Sequence, residues 1–200
     1  MRTRLASFIM ASFLIGALAG VGVLLLTTPQ GEQPVQSSGT ALIGGPFLLT
    51  DTAGKTVTDR DFRGRYMLIF FGFTHCPDVC PAELQIIAQA LDQLGEKAKK
   101  VVPIFITVDP ERDTSAAMAE YVKSFGPNFV GLTGSLEAIA AVAKAFRVAY
   151  SKVENKALPG DYTIDHSALV YLMDPEGRYV THFAYGTSAQ EIAEKLGRLL

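Results

Sequence analysis

The chain opens on an uninterrupted apolar segment. Leu5 to Leu26 is 22 residues long and contains no charged residue and no proline. A helix rising about 1.5 Å per residue spans roughly 33 Å over this length, about the hydrocarbon thickness of a bilayer. Arg2 and Arg4 precede the segment, and positive charge stays on the cytoplasmic side of a membrane. The pattern predicts a transmembrane anchor in residues 1–26 that exports the rest of the chain.

A cleaved signal peptide is the alternative interpretation of this segment. Ala17-Leu18-Ala19 fits a small-x-small cleavage pattern. The apolar run continues from Val21 to Leu26, however, so a cleaved chain would begin with an apolar tail. The charged stretch before the run is too short for a typical mitochondrial transit peptide. We therefore expect a single-pass anchor in a bacterial inner membrane, with the remaining chain in the periplasm.

The segment after the apolar run is polar. Residues 27–41 are rich in Gly, Pro, Ser and Gln, a composition typical of flexible linkers. We expect one folded domain from residue 42 to residue 200.

Strand-like and helix-like segments alternate through this domain. Tyr66–Phe73 and Val101–Val108 are nearly continuous apolar runs, as in central strands that are buried on both faces. Further strands are predicted at Phe47–Thr50, Thr56–Thr58, Val148–Val153, Ala168–Met173 and Tyr179–Tyr185. Helical spacing predicts helices at Pro81–Leu94, Ser115–Phe125, Ser135–Phe146 and Ser188–Leu199. The alternation predicts an α/β domain with a central mixed sheet that is flanked by helices.

The composition says more about the possible binding partners of the chain than about its fold. The chain has 200 residues, of which 48% are hydrophobic, and a formal net charge of -2. Acidic and basic residues are interspersed, without a basic run. These values predict a sizeable core and no nucleic-acid partner.

The two cysteines of the chain are the strongest chemical signal. Cys76 and Cys80 follow the predicted strand Tyr66–Phe73 and precede a predicted helix. Sites in α/β sheets gather at the carboxyl ends of strands, and a helix N-terminus favours the thiolate form of a cysteine. Positions i and i+4 share a helix face, so the two sulfurs can converge on one metal ion. They can also form a disulfide after a small adjustment.

A purely structural disulfide is the simpler interpretation of this pair. Exported proteins use such bridges, but one closing so short a loop constrains the unfolded chain little. We therefore expect a functional pair, which binds metal or exchanges disulfides.

A histidine can complete a metal site. His166 precedes the predicted strand Ala168–Met173, which places it in a loop at a strand edge. Thiolates suit Cu(I), imidazole suits both copper states, and zinc accepts the same donors. From the residues alone, a lone histidine is more often a hydrogen-bonded surface or core residue. His75 is interpreted as structural or as a neighbour of the site, and His182 as a strand residue.

Three sequence blocks resemble the Sco/SenC family, whose members are copper chaperones involved in building cytochrome c oxidase. The first is Phe71-Gly72-Phe73-Thr74-His75-Cys76-Pro77-Asp78-Val79-Cys80-Pro81. The others are Val108-Asp109-Pro110-Glu111-Arg112-Asp113-Thr114 and Asp161-Tyr162-Thr163-Ile164-Asp165-His166-Ser167. The resemblance covers about residues 42–200, and the predicted anchor and linker also fit the family layout.

This resemblance implies a fold, a cargo and a partner. The fold it implies is thioredoxin-like. Cys76, Cys80 and His166 are then the ligands of one copper ion, as Cu(I) or Cu(II). The implied recipient is the copper-bearing subunit of cytochrome c oxidase, chiefly the two-copper centre of subunit II. Other copper chaperones or thioredoxin-like reductants are further expected partners.

Several charged residues lie inside the same blocks. Asp78 is expected to cap the helix, with weak ligation of Cu(II) as the alternative. Asp109, Arg112 and Asp113 either orient the site or meet a partner, or they form a local ion-pair and turn network. Asp165 either holds His166 in position or makes a turn.

The sequence is compatible with three functions. The first is metal transfer by a binding protein, which needs all three ligands. The second is a membrane-anchored thiol–disulfide oxidoreductase, which needs Cys76 and Cys80 alone and prepares the cysteines of a copper-site partner. Thioredoxin-type reductants usually have two residues between the cysteines and a cis-proline before the facing strand, and this chain has three residues and Ser167-Ala168 there. A peroxidase that uses one activated cysteine ranks last.

Overall fold

The computed structural model of the chain describes residues 42–154 and 161–200. The predicted anchor and linker lie outside the described residues. Among the residues that are described, no helix is both long and apolar enough to cross a membrane.

Nine strands and four helices build the described part of the chain. The strands are β1 (Leu48–Asp51), β2 (Thr56–Thr58), β3 (Tyr66–Gly72), β4 (Val101–Thr107), β5 (Val130–Thr133), β6 (Tyr150–Glu154), β7 (Tyr162–His166), β8 (Leu169–Met173) and β9 (Tyr179–Ala184). The helices are α1 (Val79–Leu94), α2 (Ser115–Lys123), α3 (Leu136–Ala145) and α4 (Ala189–Gly197). Short 3₁₀ segments occupy Asp59–Phe62 and Gly95–Lys100.

Seven of the strands form one mixed sheet, in the order β2-β1-β5-β4-β3-β8-β9. β3, β4 and β5 are parallel neighbours, whereas β8, β9, β1 and β2 join them in antiparallel pairs. All seven residues of β4 are buried, and so are all residues of β3 after Tyr66. The continuous apolar runs therefore mark the two central strands, and the predicted α/β fold with a mixed sheet is confirmed.

Local side-chain hydrogen bonds close the β1–β2 hairpin and cap the start of α3. The Asp51 carboxylate accepts hydrogen bonds from the backbone N–H groups of Ala53 and Lys55, which closes the β1–β2 turn. Ser135 is the N-cap of α3, and its hydroxyl accepts a hydrogen bond from Ala138 N–H. These short-range contacts fix the β1–β2 turn and the first turn of α3.

Two strands escaped the sequence prediction, and both are short. β5 is a four-residue strand, and β7 carries mostly polar residues with only Ile164 buried. β7 pairs antiparallel with β6 in a separate two-stranded sheet, which we call the ribbon. The prediction of a loop position for His166 was wrong, because His166 is the last residue of β7. Its backbone pairs with Tyr150 of β6.

Candidate metal centre

The turn between β3 and α1 brings the two cysteines together. Cys76 N–H donates a hydrogen bond to the Phe73 carbonyl at 3.2 Å, which folds the chain back after the strand. Cys80 lies in the first turn of α1, and its backbone N–H donates to Cys76 Sγ at 3.3 Å. Both thiols are free; Cys80 is fully buried and Cys76 is partly exposed. The expected convergence of the two sulfurs is confirmed.

Gly72 makes room for the inner thiol. A Cβ atom at this position would lie 2.7 Å from Cys80 Sγ and 2.8 Å from the ring of Phe105. Real Cβ atoms do not approach other atoms so closely. The absence of a side chain at Gly72 therefore lets the Cys80 thiol pack against the end of β3.

His166 reaches the same place from the ribbon. Its Nε2 lies 3.4 Å from Cys80 Sγ. The rings of Phe70 and Phe73 each approach the imidazole nearly edge-on, with centroids 6.0 Å away. The two sulfurs and one imidazole nitrogen all lie within 4.8 Å of one another. The structure thus unites the three residues that the sequence singled out.

The imidazole presents a free nitrogen to the sulfurs. His166 Nδ1 lies 3.2 Å from the Ser167 carbonyl, and a carbonyl only accepts hydrogen bonds. This contact is a hydrogen bond when Nδ1 carries the proton, which leaves the lone pair of Nε2 facing Cys80. Burial lowers the pKa of His166, so the neutral form that ligates metals is favoured. The group that contacts Nδ1 is thus the Ser167 carbonyl, whereas Asp165, which was expected either to hold His166 or to make a turn, is exposed on β7.

The surroundings of the inner thiol favour its protonated form in the metal-free fold. Burial raises the pKa of Cys80 well above its ordinary value, although a hydrogen bond from the Phe73 backbone acts in the opposite direction. The expectation that the helix N-terminus makes this cysteine a thiolate is therefore wrong for Cys80, because desolvation outweighs the helix end. A metal ion that binds here must displace this proton.

A buried carboxylate fixes the loop that leads to Cys76. Asp113 accepts hydrogen bonds from Thr74 N–H at 3.0 Å, from Thr74 Oγ1 at 2.6 Å and from Thr107 Oγ1 at 2.6 Å. His75 lies beside this group, with Nδ1 3.8 Å from the same carboxylate. Asp113 is therefore one of the groups that orient the site.

Asp109 and Arg112 form a second network, and this one contacts the ribbon. Arg112 Nε donates to Asp109 Oδ2 at 2.5 Å, and Arg112 Nη1 donates to the Tyr162 carbonyl at 3.0 Å. The Tyr162 hydroxyl donates to Asp109 Oδ1 at 2.8 Å. The network is local, and it also holds the strand that ends at His166.

The structure also locates Asp78 and His182, for which the sequence predicted a helix cap and a strand residue. Asp78 occupies the N-cap of α1, but its carboxylate makes no capping hydrogen bond. Instead, Asp78 lies exposed on the wall of the cavity beside the site. His182 lies on β9, where Nδ1 is 2.5 Å from the Tyr179 hydroxyl, so it is a strand residue as predicted.

Gly72, Thr74 and Tyr162 contribute to the site although no chemical signal in the sequence distinguishes them. All three belong to the sequence blocks that carry the family resemblance, which is the signal that points to them. Their contacts depend on residues far along the chain, because Thr74 meets Asp113 and Tyr162 meets Asp109.

A cavity of about 330 Å³ opens beside the three ligand candidates. Cys76 and His166 line it, together with Pro77, Asp78 and Tyr185 among other residues. Cys80 lies behind them and has no exposed surface. An incoming group therefore approaches the site from the Cys76 and His166 side.

Comparisons with known proteins agree with this geometry. The SCO1 homolog of Homo sapiens, a mitochondrial protein, is 45% identical over 163 residues, which cover 79% of this chain and 53% of that protein. A SCO2-like protein of Rickettsia prowazekii is 41% identical over 189 residues, 93% of this chain and 92% of that protein. The chain spans 65% and 44% of the fungal and plant relatives that it also matches.

Solved structures of similar proteins agree with these sequence comparisons. The structure of Bradyrhizobium japonicum ScoI with copper bound superposes with a TM-score of 0.73 and shares 52% sequence identity. The match covers 79% of this chain and 99% of that chain. The sequence model of SCO1/SenC matches residues 35–200. With its mixed sheet and its Cys-Cys-His cluster, the chain belongs to the SCO1/SenC family, whose fold is thioredoxin-like.

Proposed function

We propose that this chain is a copper metallochaperone that holds one copper ion between Cys76, Cys80 and His166. The observation that carries the proposal is the convergence of two sulfurs and one imidazole nitrogen within 4.8 Å. This donor set fits the cargo, because thiolates select soft Cu(I) and imidazole ligates both copper states. Zinc would accept the same donors, and the copper-bound relative favours copper.

The geometry supports transfer rather than permanent storage. Three protein donors leave one side of a copper ion open, and that side faces the cavity lined by Cys76 and His166. A thiolate, imidazole or thioether from a partner can bind there before the first ligands leave. Transfer by ligand exchange then releases no free copper.

The proposed recipient is the copper-bearing subunit of cytochrome c oxidase, at the two-copper centre of subunit II. The family resemblance supports this assignment. An anchor in residues 1–26 and a linker in residues 27–41 would tether the domain at the periplasmic face of a bacterial inner membrane. Copper would come from other copper chaperones, and thioredoxin-like reductants would keep the thiols reduced.

Thiol–disulfide exchange is the second candidate function, because Cys76 and Cys80 are both free and adjacent. Cys76 lines the cavity and is the thiol that a partner disulfide would meet. Against this role, burial raises the pKa of Cys80, which disfavours its thiolate. In addition, reductases of this fold usually have a cis-proline next to the cysteines. No cis peptide bond occurs in the described residues of this chain.

The decisive experiment is an anaerobic Cu(I) titration of the full-length chain in detergent against a competing chelator. The expected result is one tightly bound copper per chain. His166→Ala should weaken binding by more than the roughly 10–100-fold that outer-shell groups contribute.

His182→Ala is the matched control, because His182 lies on β9 and should keep wild-type affinity. Absence of tight copper binding by the fully reduced wild type would overturn the chaperone and place the reductase first. Wild-type affinity in His166→Ala would show that the site has only two ligands.

A further inference from the structure

The ribbon that carries His166 is weakly anchored. It forms a two-stranded sheet separate from the seven-stranded sheet. Four of the five residues of β6 are exposed, and within β7 only Ile164 is buried. An isolated two-stranded hairpin is marginal in water, so the position of the ribbon depends on its few contacts with the rest of the domain.

Tyr162 makes the most extensive of these contacts. Its hydroxyl donates to Asp109 Oδ1 at 2.8 Å, and its carbonyl accepts from Arg112 Nη1 at 3.0 Å. The Arg112 guanidinium also lies 3.7 Å from the centre of the Tyr162 ring. Lys152 lies 4.5 Å from that ring centre and is paired with Glu111. Tyr162 is therefore held at its hydroxyl, its ring and its backbone.

The groups that hold Tyr162 are themselves fixed. Asp109 is 1% exposed, and its backbone N–H donates to Thr107 Oγ1 at 2.8 Å, next to the end of β4. Arg112 is bound to Asp109 Oδ2. The 109–113 loop thus presents a rigid pair of charges to the ribbon.

The strand transmits this restraint to the metal site. Tyr162, Ile164 and His166 alternate along β7, so their side chains share one face of the strand. The two ends of that face are about 13 Å apart at about 3.3 Å per residue. β6 stiffens the whole length, since Glu154 pairs with Tyr162 and Tyr150 pairs with His166.

The same loop holds the cysteine side of the site. The Asp113 carboxylate accepts hydrogen bonds from the backbone N–H and the hydroxyl of Thr74, which lies two residues before Cys76. We propose that Tyr162, clamped by Asp109 and Arg112, is a positioning residue that sets the distance between His166 and the two cysteines. The 109–113 loop is then the common reference for both halves of the site. This inference rests on the proposed function, because it takes His166 as a copper ligand.

The clamp makes a specific prediction about copper coordination. When Tyr162 is released, the two cysteines keep their positions and His166 leaves them more often. Copper then remains bound through sulfur, while the imidazole nitrogen is lost from a fraction of the sites. The expected change is about tenfold in copper affinity, the size of one hydrogen bond to a charged group, and it is smaller than that of His166→Ala.

The test compares Tyr162→Phe and Arg112→Lys with the wild type in the full-length chain. Two variants away from the site are the matched controls. Tyr66→Phe removes a hydroxyl hydrogen bond to the Leu199 carbonyl, and Arg178→Lys alters an ion pair with Asp174. Three readouts are taken: the Cu(I) affinity, the nitrogen hyperfine signal of bound Cu(II), and the imidazole resonances of His166 in metal-free protein.

Both clamp variants should lower the nitrogen signal and shift the metal-free resonances of His166, while the controls leave them unchanged. Wild-type nitrogen signal and unchanged His166 resonances in both clamp variants would overturn the inference. If Tyr162→Phe fails to fold, Arg112→Lys carries the test alone, because it keeps the positive charge beside Tyr162 and removes the hydrogen bond from Nη1 to the Tyr162 carbonyl. If the wild type binds no copper, the proposed function fails, and the metal-free resonances still decide whether Tyr162 positions His166.

Discussion

The two halves of the site are built in opposite ways. The cysteines lie between β3, which is buried from Met67 to Gly72, and the first turn of α1. The histidine lies at the end of the ribbon, most of whose residues are exposed or half-buried. One half belongs to the core of the domain, whereas the other is attached to it through a few named contacts.

Because of this difference, mutations in the two halves should affect different properties: the stability of the domain in one case and the coordination of copper in the other. A change near the cysteines disturbs close-packed atoms and should lower the free energy of unfolding of the whole domain. A change in the ribbon should alter the position of His166 with little effect on unfolding, since few apolar atoms are buried there. Mutations in the ribbon that lower the free energy of unfolding strongly would contradict this division.

The largest effect is expected at Gly72. Gly72→Ala places a methyl group 2.7 Å from Cys80 Sγ, so either the thiol or the Phe105 ring must move. Overpacking of this kind lowers the free energy of unfolding by about 1–3 kcal/mol. Urea denaturation of the metal-free protein measures the loss, and chelator competition should show weaker copper binding.

Gly197→Ala is the control for this substitution, because its added methyl group meets only an ordinary contact at 3.9 Å. Wild-type stability and copper affinity in Gly72→Ala would contradict the close packing of the thiol against β3.

A smaller effect, dependent on pH, is expected at Glu83. This residue of α1 is fully buried, and neither carboxylate oxygen has a hydrogen-bond partner of good geometry. Burial raises the pKa of Glu83, and the backbone of Gly186 offsets only part of this. The folded protein therefore binds the proton more tightly than the unfolded chain, so this contribution to stability falls as the pH rises above about 4.5 and towards the folded pKa.

The Glu83→Gln variant should lack this fall. Its free energy of unfolding, measured in urea at pH 4.5 and pH 7.5, should change less between the two values than that of the wild type. Glu120→Gln, at an exposed position of α2, should retain the wild-type dependence. An identical pH dependence in Glu83→Gln and the wild type would show that Glu83 is not protonated more readily in the folded state.

The smallest effect is expected on the outside of the ribbon. Glu111 pairs with Lys152, and both side chains are 46% exposed. Solvent screens such a pair, so Glu111→Gln should change copper affinity by no more than about threefold, less than the change expected for Tyr162→Phe. The same chelator competition measures it. A larger loss than in Tyr162→Phe would move the main anchor of the ribbon from Asp109 and Arg112 to this surface pair.

Much of the fold was accessible from local patterns. The apolar runs located β3 and β4, and helical spacing located all four helices to within a few residues. The spacing of Cys76 and Cys80 at a strand-to-helix turn predicted that their sulfurs converge. These features depend on neighbouring residues, whose burial and backbone geometry leave a periodic trace in the sequence.

Only one strand of the ribbon left such a trace: β6 overlaps the predicted strand Val148–Val153, whereas β7 was not predicted. β7 is short and mostly polar, so its pairing with β6 comes from the way the chain returns across the domain rather than from its own pattern. The resemblance to SCO1/SenC proteins named His166, but residue patterns alone favoured an ordinary surface or core histidine.

The amino-acid sequence by itself determined the central strands, the helices and the cysteine turn, because each leaves a recognisable pattern within a short run of consecutive residues. Tertiary structure alone decided the approach of His166 to Cys80, 86 residues earlier in the chain, and the clamp of Asp109 on Tyr162, 53 residues later. It also decided the direction in which the pKa of Cys80 shifts, because a helix end is visible in sequence but complete burial is not. Distances between elements and the exclusion of water are properties of packing, and packing is specified by the whole chain at once.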